Sequence, residues 1–410
     1  MNSKSIGITL ILASFPIIYF IRDGLGLSVG NFYFTGLFLV LYLFLLIDYK
    51  RFFSFKFTKP NLNLFCPAFI FFITSFVYYL YSNYDDKLKD LFYFVYMFLY
   101  FILLLNVDEY YIKNIYVNFL FVTLICNIIF FIYFIFFFTN YREVGNRVYI
   151  GREEGNPNIY AFIAYYGIIS SYIVYKYNSK FLIKYLSLIN IILSIIVIIL
   201  AQTRSVFLSL LLIIILILIK KIIAIDKNFK FTNIKNTLFK LFSYISILII
   251  FFYLIKYLIP INIYLENYYN YLVEGFNNIM GKVEVGSSQG RIDSLNLILS
   301  EISKKPEIYI FGKGYKDQWL DIPILQAFRD LGIIGGMSLL LFHVTMIYLI
   351  LKYFKMKNKK PYYDLFAGCY ILLFINSFLH GQPYDYSFWL PFLTIIRFFK
   401  PDKIINYVQI

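Results

Sequence analysis

The strongest constraint on this chain is the recurrence of apolar runs about as long as a lipid bilayer is thick. A hydrocarbon core of about 30 Å takes roughly 20 helical residues to cross. About twelve such runs can be marked, near 5–21, 31–47, 63–81, 91–107, 115–138, 158–175, 185–201, 206–219, 241–259, 333–351, 362–379 and 387–399. Hydrophobic residues make up 60% of the chain and charged residues 15%, and the mean hydropathy is +0.71. A water-soluble fold could not hide that much apolar surface, so the solvent must be lipid. The expected fold is an all-α polytopic membrane protein: one transmembrane domain over 1–410 with about twelve spans and an external loop subdomain at 260–332. The first run ends in Phe20-Ile21-Arg22-Asp23 with no small-residue cleavage site, so it reads as a span rather than a removed signal. Cys66, Cys126 and Cys369 all lie in apolar runs and read as small buried hydrophobes, which excludes a disulfide scaffold.

The net charge of +15 is carried by lysines in short loops, a pattern of membrane topology rather than of nucleic-acid binding. Lys50, Arg51, Lys56 and Lys59 follow the second run, and Lys176, Lys180 and Lys184 the sixth. Lys220, Lys221, Lys227, Lys230, Lys235 and Lys240 follow the eighth, and Lys352, Lys355, Lys357, Lys359 and Lys360 the tenth. The positive-inside rule then places these loops and both termini in the cytoplasm. The longest outward segment, 260–332, holds six Lys/Arg against eight Asp/Glu up to Asp321.

The sequence contains no Walker A motif, dinucleotide fingerprint or metal-ligand spacing, so neither cofactor nor metal is expected. The informative polar residues gather at the outward side. Arg142, Arg147 and Arg152 crowd one short outward loop, against the charge rule. A phosphate-bearing ligand would explain them, since a guanidinium fork matches phosphate oxygens, and so would ion pairs with Glu153 and Glu154. Asn158, closing Gly155-Asn156-Pro157-Asn158, reads as a ligand group or as the cap of the next helix. Arg204, in the turn Gln202-Thr203-Arg204-Ser205, is the only charge between Lys184 and Lys220. A charge so close to hydrocarbon has a partner or ligand, or snorkels to the headgroups.

Gly290-Arg291 opens a stretch in which Ile292, Leu295, Leu299 and Ile302 recur at helical spacing, an amphipathic helix for the membrane surface. Arg291 at its start reads as an anion ligand or a solvated arginine. Asp321 reads as a functional carboxylate or as the cap of a helix with Pro323 in its first turn. Arg329 and Asp330 read as a local pair at a span boundary, His343 as a packed polar residue, and His380 as a structural or cavity-lining group.

Taken in order, Gly155-Asn156-Pro157-Asn158, Thr203-Arg204-Ser205, Gly290-Arg291, Gly312-Lys313-Gly314 and Gly332-Ile333-Ile334-Gly335 resemble the O-antigen polymerase/O-antigen ligase superfamily of bacterial envelope glycosyltransferases, over roughly 145–345. The resemblance implies a GT-C-like helical fold in the bacterial inner membrane and a site facing outward. It implies an undecaprenyl-diphosphate-linked glycan as donor, with no cofactor. Counting back eleven residues from Gly332 gives Asp321-Ile322 where the ligase branch carries a His-Asn pair, so the chain looks more like the polymerase branch.

What the resemblance then implies is repeat-unit polymerisation. Arg204 and Arg291, helped by Arg147 or Arg152, would neutralise the departing diphosphate, and Asp321 would accept the acceptor hydroxyl proton. Asn158, Gln202, Tyr315 and His380 are the further expected substrate contacts. The expected partners are the lipid-linked donor and acceptor, membrane lipid and a chain-length regulator protein, with no nucleic acid. Two other readings stay open, a ligase passing finished glycan to lipid A-core and a flippase for lipid-linked oligosaccharide.

Overall fold

The structure is a computed structural model that describes residues 2–27, 32–47, 57–82, 87–136, 147–150, 156–225, 261–279, 289–356 and 359–401. The described residues are mostly helical, with no strand among them. In chain order the helices are α1 (Ser3–Ala13), α2 (Phe15–Tyr19), α3 (Phe32–Phe44), α4 (Leu62–Tyr81), α5 (Lys87–Asn106), α6 (Glu109–Ile112), α7 (Ile115–Phe136) and α8 (Pro157–Tyr177). There follow α9 (Phe181–Ala201), α10 (Arg204–Ile225), α11 (Ile261–Ile279), α12 (Gln289–Lys304), α13 (Glu307–Phe311), α14 (Pro323–Lys355), α15 (Pro361–Leu379) and α16 (Tyr386–Phe398).

Among the described residues, six helices are long and apolar enough to cross a bilayer: α4, α5, α7, α9, α14 and α15. Counting α1 with α2 and the π-helical turn Phe20–Gly24 that continues it as one broken span makes seven. This is the architecture of a polytopic membrane protein, with six helices rather than about twelve meeting both criteria. Most other expected runs do form helices. However, α3 and the apolar part of α10 are short, α16 has 13 residues, and tyrosines and serines dilute α8. The run at 241–259 lies outside the described residues. The first expected span is bent by 65° between α1 and α2, where Pro16 in the first turn of α2 lacks an N–H to continue the ladder.

Hydrocarbon gives helices no hydrophobic reason to associate with one another, so buried polar contacts help select partners. Asn127 of α7 donates from Nδ2 to Asn190 Oδ1 of α9 at 2.8 Å and to Ser194 Oγ at 2.9 Å. Asn190 Nδ2 donates onward to Thr123 Oγ1 and Ser171 Oγ, each at 3.0 Å, which ties α7, α8 and α9 into one unit. His343 is packed inside α14 as expected, with its Nδ1 2.9 Å from Tyr370 Oη. Cys126 and Cys369 are buried, whereas Cys66 lies exposed on the helix surface.

The segment 260–332, expected to face outward, is largely helical where described. Its amphipathic stretch from Ile292 to Ile302 lies within α12, with Leu295, Leu299 and Ile302 exposed and Ile298 turned inward. The expected span at 333–351 begins earlier, because α14 merges two helices across a break at Gly332, whose φ of +67° favours glycine. Gly312, with φ +82°, packs against that break, and a Cβ there would meet the Asp330 carbonyl at 2.7 Å. The neighbouring backbone fills the gap: Lys313 N–H donates to Arg329 O at 2.8 Å and Gly314 N–H to Asp330 O at 3.1 Å. The Gly312-Lys313-Gly314 motif is therefore the splint of a broken helix.

The expected local pair of Arg329 and Asp330 forms, but it is the lesser of the contacts that Arg329 makes. Arg329 is completely buried, and its main partner is Glu301 of α12, with Nε–Oε2 at 2.8 Å and Nη2–Oε1 at 3.0 Å. Asp317 approaches Nη1 at 3.1 Å, whereas Asp330 Oδ1 stands at 3.7 Å and its Oδ2 accepts from Gln326 and Tyr384. The hydrogen bonds from Arg329 hold the Glu301 carboxyl below its ordinary range. Replacing Arg329 with Met should lower unfolding stability in detergent by about 3 kcal/mol. Glu301 loses its two-bonded partner, and among the described residues Glu301 and Asp317 are left with only the half-exposed Lys313 as counter-charge. A thermal or denaturant melt checks this, and a change under roughly 0.5 kcal/mol would contradict it.

Candidate functional site

At the end of the bundle where α8 begins and α9 ends, a cavity of about 430 Å³ opens. Its polar wall holds Arg147, Asn158, Thr203, Arg204, Ser205, Tyr271, Arg291, Asp321 and His380. Phe207, Leu208, Leu272 and Leu379 line the rest. Six of the nine expected site residues thus meet in one cavity, although they come from five separate stretches of the chain.

Local structure explains how each arrives there. Asn156, not Asn158, caps α8, its Oδ1 accepting the Asn158 N–H at 2.9 Å, with Pro157 in the first turn. The Asn158 side chain is thereby released toward the cavity. There its Oδ1 accepts from Arg147 Nη2 at 3.4 Å and from Thr203 Oγ1 at 3.3 Å. Its Nδ2 lies 3.1 Å from His380 Nε2, at the end of α15. Arg147 is fixed further by donating from Nε to Ala201 O at 3.2 Å.

The turn from α9 to α10 is sharp because Gln202 adopts a left-handed conformation, with φ +49° and ψ +50°. This reversal puts Arg204 at the first position of α10, facing the cavity. Gln202 itself is buried and does not line the cavity, so its place is that of a turn residue and not of the expected substrate contact. Tyr268 Oη donates to Thr203 O at 3.1 Å and fastens α11 over the turn. Tyr271, one helical turn on, lies between two cations: the Arg204 guanidinium stacks 3.5 Å from its ring centre and that of Arg147 stands at 5.4 Å.

Arg204 is the least compensated charge of the site. Its Nε and Nη1 are buried and donate to no acceptor among the described residues. A buried donor left unpaired is costly, and a charged one more so. Arg291 donates from Nε to Leu379 O at 3.0 Å, at the negative end of the α15 dipole. Burial lowers the Arg291 pKa, with the Asp321 charge opposing. Among the described residues none of Arg147, Arg204 and Arg291 makes an ion pair, and Glu153 and Glu154, the alternative partners the sequence offers, lie outside the described residues. His380 lies where burial pushes its proton affinity down, favouring the neutral imidazole.

Asp321 does not cap α14; Ile322 occupies that place and makes no side-chain cap bond. The Asp321 N–H donates to Ser294 Oγ at 3.3 Å, and its Oδ1 accepts from Trp319 Nε1 at 2.9 Å. Gly290 lies against the other oxygen: a Cβ there would stand 2.5 Å from Oδ2. The glycine of Gly290-Arg291 therefore has a specific reason, close passage of the α12 backbone beside this carboxylate.

Two expected site residues fall elsewhere. Tyr315 is buried among Tyr79, Phe94 and Tyr384, with its ring centre 4.4 Å from that of Tyr384, so it is a packing residue. Arg152, like Arg142, lies outside the described residues. Tyr271, Thr203, Ser294 and Trp319 were missed. Thr203 stood inside a quoted motif, but nothing distinguishes Tyr271 among 41 tyrosines. Chemically, the arrangement offers cationic forks for a polyanion, one carboxylate able to take a proton, and an adjoining apolar wall. No protein-family model matches this chain, and no curated protein sequence matches it.

Proposed function

We propose that this protein polymerises lipid-linked oligosaccharide repeat units into a surface polysaccharide, by glycosyl transfer at the outer face of the bacterial cytoplasmic membrane. The observation that carries the reading is Arg204, half-buried and with its buried Nε and Nη1 lacking an acceptor among the described residues, beside Arg147, Arg291 and the Asp321 carboxylate in one cavity with an apolar wall. That combination suits a ligand with a multiply charged anionic head and a hydrocarbon tail, as an undecaprenyl-diphosphate-linked glycan has. The full reading includes about twelve spans with both termini in the cytoplasm, following the lysine distribution.

In the proposed step, the acceptor sugar hydroxyl attacks the anomeric carbon of the donor. Its proton passes to Asp321, the new glycosidic C–O bond forms, and the bond to the lipid diphosphate breaks. The departing diphosphate carries its electrons into a field set by Arg147, Arg204 and Arg291. Lipid diphosphate is already a good leaving group, so charge stabilisation and proton removal are the two tasks left to the protein.

Deleting the gene in its own host should leave surface glycan one repeat unit long, and re-expression should restore the ladder. Long lipid-linked polymer accumulating instead would turn the reading to the ligase, and failure of single units to reach the outer face would turn it to the flippase. A sharper test uses Gly290→Ala. The added methyl meets only the end of the Asp321 side chain, so folding should be retained within roughly 1 kcal/mol while chain extension falls at least about tenfold. Wild-type extension in a folded Gly290→Ala protein would remove Asp321 from the mechanism.

A further inference from the structure

We infer that Trp319 is a stacking platform for the acceptor sugar, an inference that rests on the glycosyl-transfer reading above. The loop joining α13 to α14 is pinned along its length. Lys313 and Gly314 are bonded to the carbonyls of the α14 break, and Lys316 Nζ pairs with Asp90 at 2.8 Å. Gln318 Oε1 accepts from Arg329 Nη2 at 3.1 Å, and Leu320 is buried. Between these anchors Trp319 is 57% exposed. Its indole is nevertheless not loose, because Nε1 donates to Asp321 Oδ1 at 2.9 Å.

A large aromatic held rigidly by one edge and left open is preorganised for a flat apolar surface. The C–H face of a pyranose ring is such a surface, and its hydroxyls then lie at the rim of the indole, where the carboxylate is. The Nε1 bond uses Oδ1 and leaves Oδ2 for the acceptor proton. One residue thus aligns both the acceptor and its base, which a sugar ligand explains and a general membrane anchor does not. The other of the two tryptophans, Trp389, is buried at 1% exposure and donates to Pro383 O.

The experiment uses full-length protein in phosphatidylcholine nanodiscs and reads Trp319 emission as the difference between wild type and Trp319→Phe, with Trp389 as a constant background. The probes are the repeat-unit oligosaccharide cut from the host's own surface glycan and, separately, inorganic pyrophosphate. The oligosaccharide should change Trp319 emission of the wild type saturably, and isothermal titration calorimetry on all three proteins should show Trp319→Leu weakening its affinity roughly tenfold, with Trp319→Phe between the two. Pyrophosphate affinity should be the same in all three proteins. Unchanged oligosaccharide affinity in the Leu and Phe variants, or quenching of Trp319 by lipids brominated in the acyl chain, would overturn the platform. Loss of pyrophosphate binding in wild type, with the oligosaccharide response intact, would instead overturn the glycosyl-transfer reading and leave the platform standing.

Discussion

Alanine in place of Arg204 is expected to slow glycan-chain extension by about 10²–10³-fold, the usual effect of deleting a preorganised donor aimed at developing negative charge. Stability should move the other way or not at all. Nε and Nη1 of Arg204 are buried with no acceptor among the described residues, and its one close partner is the face of Tyr271 at 3.5 Å. Removing it breaks no ion pair among the described residues. Relief of burial and of repulsion from Arg291 and Arg147 sets against the lost attraction of Tyr271 and Glu274, so the melting temperature should hold within about a degree or two or rise slightly. This separates a ligand-binding arginine from a structural one: Arg329→Met must lower stability because its partners are inside the protein. Arg204→Lys should recover only part of the rate, since an ammonium keeps the charge but not the planar fork. The test is extension rate and melting temperature measured on the same purified variants. A stability loss comparable to that of Arg329→Met, with the rate intact, would make Arg204 a packing residue.

The same contrast explains how much was legible before any coordinates. In a chain with 15% charged residues, an arginine or aspartate at the edge of an apolar run is conspicuous, and Arg147, Arg204, Arg291 and Asp321 were legible for that reason. Tertiary pairing was not legible. Asp330 is the neighbour that the sequence offers Arg329 and it does stand at 3.7 Å, but the closer partner Glu301 lies 28 residues away on another helix. Tyr315 followed a glycine motif and so looked functional, yet the motif serves the break at Gly332 and the tyrosine fills the core. Spans were legible from apolar length, whereas the 65° bend at Pro16 and the early start of α14 follow from backbone contacts that hydropathy does not encode.

The cavity also clarifies what sets its arginines in place. Asn158 holds Arg147, and Tyr271 faces Arg147 and Arg204 without offering either a counter-charge. An aromatic face attracts a cation by its quadrupole and leaves the guanidinium edge free for an anion. A carboxylate in the same place would neutralise the site and compete with a diphosphate.

Asn in place of Asp321 is expected to reduce extension by about 10²–10⁴-fold, the range for loss of a general base, and to leave diphosphate binding intact. The substitution is nearly isosteric. Its amide oxygen can still accept the Trp319 Nε1 bond and its N–H can still reach Ser294 Oγ, so the loop is retained. Only the negative charge and the proton-accepting oxygen are lost. Asp321 is also the main charge that favours the protonated form of Arg291. With that carboxylate gone, a bound diphosphate has no rival for the Arg291 guanidinium, and pyrophosphate affinity should stay level or rise. Opposite movements of rate and affinity are the signature of a base, since a residue that merely shaped the cavity would lower both. Extension measured on purified Asp321→Asn, beside pyrophosphate titration of the same sample, decides the matter. A parallel fall in both would assign Asp321 to structure, and an unchanged rate would leave the acceptor proton to another group.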